Sequence, residues 1–567
     1  MTRRWIEATT LGDLVGRRAV ERPEAEALVF PGERVTYAGL AARSARRARE
    51  LAGLGVGPGD RVAILLPAGA ELLVTLLGTT TLGAIAVPVN ARFRGTEIVG
   101  VLAGCGARVL VTAPELLETV EDCLPVEDCS PVAGGRRPAA PELDHVVVPA
   151  LAADPPGAVG ADRLAAGMVA PAVLDELAAA VRVRDTAVLV HTSGTTAAPK
   201  GAMLAHEALV RLAFGIGDRL GWTPDERVWT AIPLFHGGGI TFALSCLAAG
   251  ATFVHPGSFD PGSTLEQLTE ERVTVALAAF ETIWMPVLNR PDFAAFDLSR
   301  IRQVMAVGVP ERLREMASRL PQAVHVSCVA MTESSAFLTL NRPDDPAEAR
   351  ATTGGHPMPG MRCRVVDPET GADVAPGTPG ELWFRGPNAF DGYFRDPAAT
   401  AAAFTDDGWF RTGDLAVADD DGRLTFRSRL KDMLKVGGEN VAAAEVEGFL
   451  LGHPAVDLVA VVAAPDAHYV EVPCAFVRRR PGHEVTAQEL IEHCLGRIAT
   501  FRVPRYVRFV EEFPMSGTKI KKFELRERIA AELAAAGIAE APRLRGPGSP
   551  AERTAVPPEQ VGSPAEA

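Results

Sequence analysis

His191-Thr-Ser-Gly-Thr-Thr-Ala-Ala-Pro-Lys-Gly201 sets four hydroxyls, two glycines and one lysine within eleven residues. The segment follows the apolar run DTAVLVHTS, which reads as a strand, and precedes a stretch at 204–220 with helical spacing. Hydroxyls and free backbone N–H groups in such a turn can cradle pyrophosphate oxygens, while Lys200 supplies a point charge against the negative charge that develops in nucleotide transfer. A plain surface turn has a similar composition, so the loop is read together with its neighbours. A GxxxxGK[ST] phosphate loop is excluded, because no Gly-Lys pair occurs anywhere in the chain.

Working outward from this loop, residues 26–340 alternate short apolar runs (DRVAILLP, ARVLVTA, ATFVHP, VTVALAAF, RQVMAVGV) with longer helical stretches such as 37–54. That alternation predicts an α/β fold in which parallel sheets are covered by helices. Residues 125–182 are rich in Pro, Ala and Gly and read as an irregular excursion. From 361 to 430, short runs separated by Gly, Pro and Asp turns predict a β-rich subdomain, which completes a large N-terminal domain over 1–430. Residues 431–540 read as a small α+β domain, and 541–567, poor in core-forming residues, as a disordered tail.

At 567 residues the chain is too long for one core, so two or three domains are expected. Its net charge of −14 comes without a basic block, which argues against a nucleic-acid or anionic-membrane surface. The eight cysteines show neither CxxC pairs nor histidines at ligand spacing, so neither a zinc site nor a disulfide framework is expected, and a reducing cytoplasm is. The start lacks the apolar run of a secretory signal. Residues 72–89 carry no charge, yet three consecutive threonines, two glycines and a proline suit a buried helix feeding a strand better than a membrane span. Only Lys200, Lys431, Lys435, Lys519, Lys521 and Lys522 are lysine, so 57 − 6 = 51 of the basic residues are arginine. Three short segments therefore hold every compact ammonium, and two of them look like phosphate-handling motifs.

TSGTTAAPKG resembles the signature of the adenylate-forming superfamily of acyl-CoA synthetases, peptide-synthetase adenylation domains and luciferases. Six more motifs follow in order: PLFHGGG, AMTESS, GELWFRGPNAFDGYF, GWFRTGD, SRLKDMLKVGGENVAAAEVE and SGTKIKKFELR. The resemblance spans about residues 8–535 and implies a large N-terminal portion followed by a small mobile C-terminal domain. By resemblance, Thr192, Ser193, Gly194, Thr195, Thr196 and Lys200 hold the β- and γ-phosphates of ATP, and Glu333, beside Thr332, binds Mg²⁺. Asp414 accepts the ribose hydroxyls with Arg429 on the same sugar. Gly308, Val309, Pro310, Val329, Ala330 and Met331 line the adenine slot. His236, Gly237, Gly238, Gly239 and Ser334 wall the acyl pocket, where missing side chains leave room. Lys519 bridges the carboxylate and the α-phosphate, holding two repelling anions in line. Lys431 matches the hinge, and Gly437, Gly438 and Glu439 approach the pantetheine channel.

The chain departs from that pattern in three places. Ala197 stands where the family usually has Gly. Val329 and Ala330 stand where it usually has an aromatic residue and Gly, which removes a stacking ring from the adenine slot. In the last motif the register is short by one residue, so Lys521 and Lys522 compete with Lys519 for the catalytic role.

The reading is an AMP-forming acid:CoA ligase that uses ATP, Mg²⁺ and coenzyme A on a carboxylic acid, on fold-level analogy for the acceptor. The alternative keeps adenylation and changes the acceptor to an amine or a carrier protein, or activates an unusual small acid such as nitrite. An inactive nucleotide-binding relative is disfavoured by retention of Lys200, Glu333, Asp414 and Arg429. No nucleic acid and no membrane span are expected, and a homodimer is carried on base rate alone.

Overall fold

The computed structural model describes residues 9–93, 95–123, 140, 142–192, 200–430, 433–436, 439–516 and 519–544. Runs apolar at nearly every position, such as Ile85–Pro88 and Val109–Thr112, are buried along their whole length. That is what a parallel sheet covered on both faces requires. One seven-stranded sheet runs in the order Val324–Val326, Gln303–Val307, Val275–Phe280, Arg227–Trp229, Thr252–Val254, Glu26–Phe30, Glu33–Thr36. A second runs Val159–Gly160, His145–Val148, Val109–Thr112, Arg61–Leu65, Ile85–Pro88, Thr186–Thr192, Lys200–Ala205. Each sheet is parallel except at one edge, where an antiparallel hairpin partner closes it.

The phosphate-loop segment therefore joins two strands. Between the expected loop and the expected helix the structure adds a strand: Lys200–Ala205 pairs back on Thr186–Thr192, with Thr192 opposite Lys200, before the helix His206–Leu220 begins. The edge of Thr186–Thr192 exposes backbone N–H and C=O groups that need partners, and the six residues Lys200–Ala205 supply them. Gly201 makes the pairing close, since a Cβ there would come within 3.0 Å of Leu189. One correction concerns 125–182. Its first part lies outside the described residues, but His145–Val148 and Val159–Gly160 extend the second sheet, and the helices Ala161–Gly167 and Pro171–Ala180 follow. Within 72–89, the helix Ala70–Thr81 is buried on nearly every side and leads to Ile85–Pro88. Among the described residues, no helix is long and apolar enough to cross a membrane.

Cys328–Met331, Ala336–Leu340 and His356–Pro357 make a short antiparallel sheet. Arg362–Val366, Gly380–Arg385, Phe410–Ala418 and Leu424–Arg429 make a four-stranded antiparallel one. The chain divides into two compact units, Met1–Lys431 with Ser516–Lys519, and Asp432–Met515 with Ile520–Ala567. In the second unit, the long strand Val456–Asp466 alternates between two cores: Val459, Val461 and Ala463 face one, and Leu458, Ala460 and Val462 the other. Helices Ala443–Leu451, Ala487–Cys494 and Lys522–Ala535 belong to this unit.

Arginines stitch the first unit together. Arg18 donates to the carbonyls of Leu247 and Ala248 at the end of helix Gly237–Ala249, and Arg61 to those of Cys105 (2.9 Å) and Gly106 (2.5 Å) after helix Gly95–Cys105. The last carbonyls of a helix have no intrahelical partner, and a planar fork reaches two at once. Arg219, in the last turn of His206–Leu220, donates to the carbonyls of Leu340 (3.0 Å), His356 (2.6 Å) and Pro357 (2.8 Å).

Candidate functional site

Three segments far apart in sequence meet beside Lys200. Met203 N–H donates to Gly392 O (3.0 Å), Asp391 N–H to Met203 O (2.9 Å) and Phe394 N–H to Gly201 O (2.8 Å), so residues 391–394 lie along Lys200–Ala205. Phe390 N–H donates to Glu333 O (2.9 Å), which ties the same segment to the 3₁₀ turn Thr332–Ser334. Glu333 and Lys200 are thereby both brought to Tyr393. The Tyr393 hydroxyl donates to Glu333 Oε1 (2.9 Å), and Lys200 Nζ stands 4.9 Å from its ring centroid. Burial and the Glu333 charge push the Tyr393 phenol above its ordinary value of 10, so it stays a donor. His191, opposite Gly201, is pushed down to about 4 by burial and is neutral at ordinary pH.

The turn bearing Glu333 is followed by Ser335 and Ala336 at φ +60° and +107°, left-handed backbone that side chains disfavour. The surroundings hold it there. Ser335 Oγ donates to Asn388 O (2.9 Å), and Thr241 Oγ1 donates to Ser335 O (3.0 Å). Thr241 belongs to helix Gly237–Ala249, whose N-cap is His236, so the expected wall of the acyl pocket adjoins this turn. The His236 ring lies 4.5 Å from that of Phe235. A Cβ on Gly237 would make only ordinary contact, 4.0 Å from Ala336 Cβ, and one on Gly238 would lie 3.8 Å from Ile232 Cγ2, whereas one on Gly239 would meet Pro233 O at 2.5 Å. Ser334 is fully buried and donates its hydroxyl to Met331 O (3.0 Å).

Asp414 is 4% exposed, and Arg429, its cross-strand partner, places Nε 3.1 Å from Asp414 Oδ1. The RTGD sequence builds this from three local devices. Thr412 donates to Leu382 O (2.6 Å) and accepts from Asp414 N–H (2.9 Å), while Gly413, at φ +66°, donates its N–H to Glu381 Oε1 (3.0 Å). The same three residues form a β-bulge against Gly380–Arg385, since Glu381 pairs with Leu415 and Trp383 with Arg411, and Asp414 sits on that bulge. In the expected adenine slot, Gly308 follows the strand Gln303–Val307, and Val309 caps the helix that Pro310 opens. On the facing strand, Val329 is buried and Ala330 exposed, with Met331 between those limits.

Among the C-terminal lysines, Lys521 Nζ pairs with Glu524 (2.8 Å) and Lys522 Nζ with Glu447 (2.6 Å), the latter carboxylate also accepting from Val461 N–H (2.6 Å). Lys519 opens the short strand Lys519–Ile520, which pairs with Met515–Ser516. Glu439 opens the strand Glu439–Ala442 and is exposed. Ser193, Gly194, Thr195, Thr196 and Ala197 of the loop, Lys431, Gly437, Gly438 and the tail from 545 onward lie outside the described residues, as do the side chains of Thr192 and Lys519.

These residues fit a magnesium nucleotide. A buried carboxylate braced by a guanidinium accepts a sugar diol, Lys200 offers an ammonium, and Glu333 offers oxygen donors. Among the described residues, no three carboxylate, imidazole or thiol groups cluster as a protein-built cage. Mg²⁺ takes one or two carboxylates together with substrate phosphates, so a single Glu333 suits it. Tyr393, Thr412 and Glu381 had no assigned role in the motif reading, although all three lie in or next to quoted motifs.

The AMP-binding enzyme family matches residues 15–394, and the AMP-binding enzyme C-terminal domain matches residues 445–519. A feruloyl-CoA synthase of an Amycolatopsis species is 36% identical over 525 residues, covering 91% of this chain and 99% of that protein. The medium-chain acyl-CoA ligase ACSF2 of Macaca fascicularis is 33% identical over 553 residues, covering 94% of this chain and 89% of that one. The crystal structure of the anthranilate CoA ligase AuaEII in complex with anthranoyl-AMP superposes with a TM-score of 0.81 at 27% identity, covering 93% of this chain and 98% of that one.

Proposed function

Since the chain belongs to the AMP-binding enzymes, the adenylate-forming ligases, we propose from that premise how its own residues divide the work. The overall reaction is that of an AMP-forming acid:CoA ligase. A carboxylate attacks the α-phosphate of ATP, pyrophosphate leaves, and the acyl-adenylate passes its acyl group to the thiol of coenzyme A with release of AMP.

Asp414 and Arg429 orient the nucleotide through its sugar, the buried carboxylate accepting the two hydroxyls. Lys200 and the hydroxyls at 192–196 hold the leaving pyrophosphate, and Glu333 receives the metal ion. Mg²⁺ supplies positive charge along the phosphates and organises the leaving group. Lys519 bridges the acid carboxylate and the α-phosphate; Lys521 and Lys522 already hold Glu524 and Glu447, which supports Lys519 as the bridging residue. The acyl group lies along Gly237 and Gly238 with His236 at the mouth, where the absence of side chains keeps the helix start uncrowded beside Ala336 and Ile232. Residues 431–540 turn about Lys431 between the two half-reactions, bringing Gly437, Gly438 and Glu439 to the pantetheine. A cytoplasmic location belongs to this reading and is supported by free thiols at the six cysteines whose side chains are described. A homodimer rests on base rate alone, and sedimentation velocity measures it.

The observation that carries the assignment is the pairing of buried Asp414 with Arg429 beside a braced Glu333 and Lys200. The test is pyrophosphate release with ATP and Mg²⁺ over a panel of hydroxycinnamic, aminobenzoic and medium-chain acids, each with and without CoA, with products weighed by mass spectrometry. Acid-dependent release that yields a thioester only with CoA is expected. Full activity in Asp414→Ala would sink the nucleotide assignment.

A further inference from the structure

Tyr393 touches two groups assigned above to the first half-reaction, Glu333 and Lys200, and the motif reading left it without a role. Its backbone lies against Lys200–Ala205, bridged to Ala202, and its own N–H donates to Thr400 Oγ1 (2.9 Å). Its hydroxyl donates to Glu333 Oε1 at 2.9 Å, while Lys200 Nζ stands over its ring at 4.9 Å. A carboxylate only accepts hydrogen bonds, so a phenol donor committed to one oxygen fixes the rotamer and leaves the other oxygen for a cation. The plain reading is packing, since the Tyr393 ring meets Phe390 edge-on at 4.9 Å within a cluster that includes Phe404 and Phe410. A phenylalanine would pack there as well, but it could not donate to Glu333.

We propose that Tyr393 is a positioning residue for adenylation: its hydroxyl sets the Glu333 carboxylate for Mg²⁺ of the nucleotide, and its ring parks the Lys200 ammonium beside the same phosphates. This rests on the roles given above to Glu333 and Lys200. Both groups are then placed before the nucleotide arrives, so less ordering is left for the binding step.

The experiment compares the parent chain, Tyr393→Phe, Tyr393→Leu and Glu333→Gln. ATP binding without acid is measured by calorimetry, in Mg²⁺ and in EDTA. Acid-dependent ATP–pyrophosphate exchange is followed against Mg²⁺ concentration, and thioester formation is followed from supplied acyl-adenylate and CoA. In Tyr393→Phe, Mg·ATP binding should weaken and the Mg²⁺ requirement of exchange rise, each about tenfold, the usual scale for losing an outer-shell partner of a metal ligand. Binding in EDTA, the thioester half-reaction and the melting temperature should match the parent. Tyr393→Leu should also weaken binding in EDTA, because Lys200 loses the ring. Tyr393→Phe matching the parent in Mg²⁺ while Glu333→Gln does not would overturn the proposal, as would equal losses in Mg²⁺ and EDTA with a lowered melting temperature. If Glu333→Gln leaves the Mg²⁺ dependence unchanged, the metal assignment of Glu333 fails first, and the proposal with it.

Discussion

At the scale of single residues, Gly413 carries the most checkable claim. Its φ of +66° belongs to glycine, and open space surrounds the position a Cβ would take, so Gly413→Ala tests backbone strain free of collision. It should cost about 1–2 kcal/mol in urea unfolding of the first unit and raise KM for ATP, because the strain falls on the bulge that carries Asp414. The three C-terminal lysines make a second test. Lys519→Ala should lower acid-dependent pyrophosphate exchange by about 10²–10³, the scale of losing one group that stabilises transition-state charge, and should spare thioester formation from supplied acyl-adenylate. Lys521→Ala and Lys522→Ala should keep exchange, since their ammonium groups serve Glu524 and Glu447. Retained exchange in Lys519→Ala would move the role elsewhere. The motifs named Glu333, Lys200, Asp414 and Arg429, but Tyr393 sat in GELWFRGPNAFDGYF without a role. Its hydroxyl partner lies 60 residues away, and spacing along the chain carries no sign of such a contact.

At the scale of elements, helix His206–Leu220 is joined through Arg219 to strands Ala336–Leu340 and His356–Pro357. Three carbonyls take a planar fork, and burial lowers that guanidinium to about 10 without discharging it at neutral pH. Arg219→Lys should therefore destabilise by about 2–3 kcal/mol, since a point ammonium cannot reach all three acceptors and leaves buried carbonyls unpaired. Arg427→Lys, at an exposed position, is the control, and equal melting temperatures for the two variants would contradict the fork argument. Element types along the chain were readable wherever apolar runs were long, as at Val275–Phe280 and Val456–Asp466. Two elements were hidden for physical reasons. His145–Val148 is four residues set in Pro- and Ala-rich surroundings, and Lys200–Ala205 becomes a strand because an open edge recruits it, a demand absent from its own sequence.

At the scale of the whole molecule, acid should loosen the first unit. His191, His206 and His255 are each pushed by burial from the ordinary 6.5 down to about 4. Between those values the unfolded chain takes up protons that the folded chain refuses, so the stabilisation is complete above about pH 6.5 and is lost as pH falls toward 4. The melting temperature should be lower at about pH 5 than at about pH 7.5, and a flat profile would contradict the burial of these rings. The division of labour among cations has a chemical consequence of its own. A ligase that releases activated acyl groups is exposed to its own product, and amines are the side chains that such esters modify. Guanidinium groups stay charged and do not react, so a chain with 51 arginines and only six lysines offers few places to be spoiled. On the roles proposed for Lys200 and Lys519, what remains vulnerable is the apparatus of adenylation, where stray acylation would shut the enzyme off rather than merely decorate it.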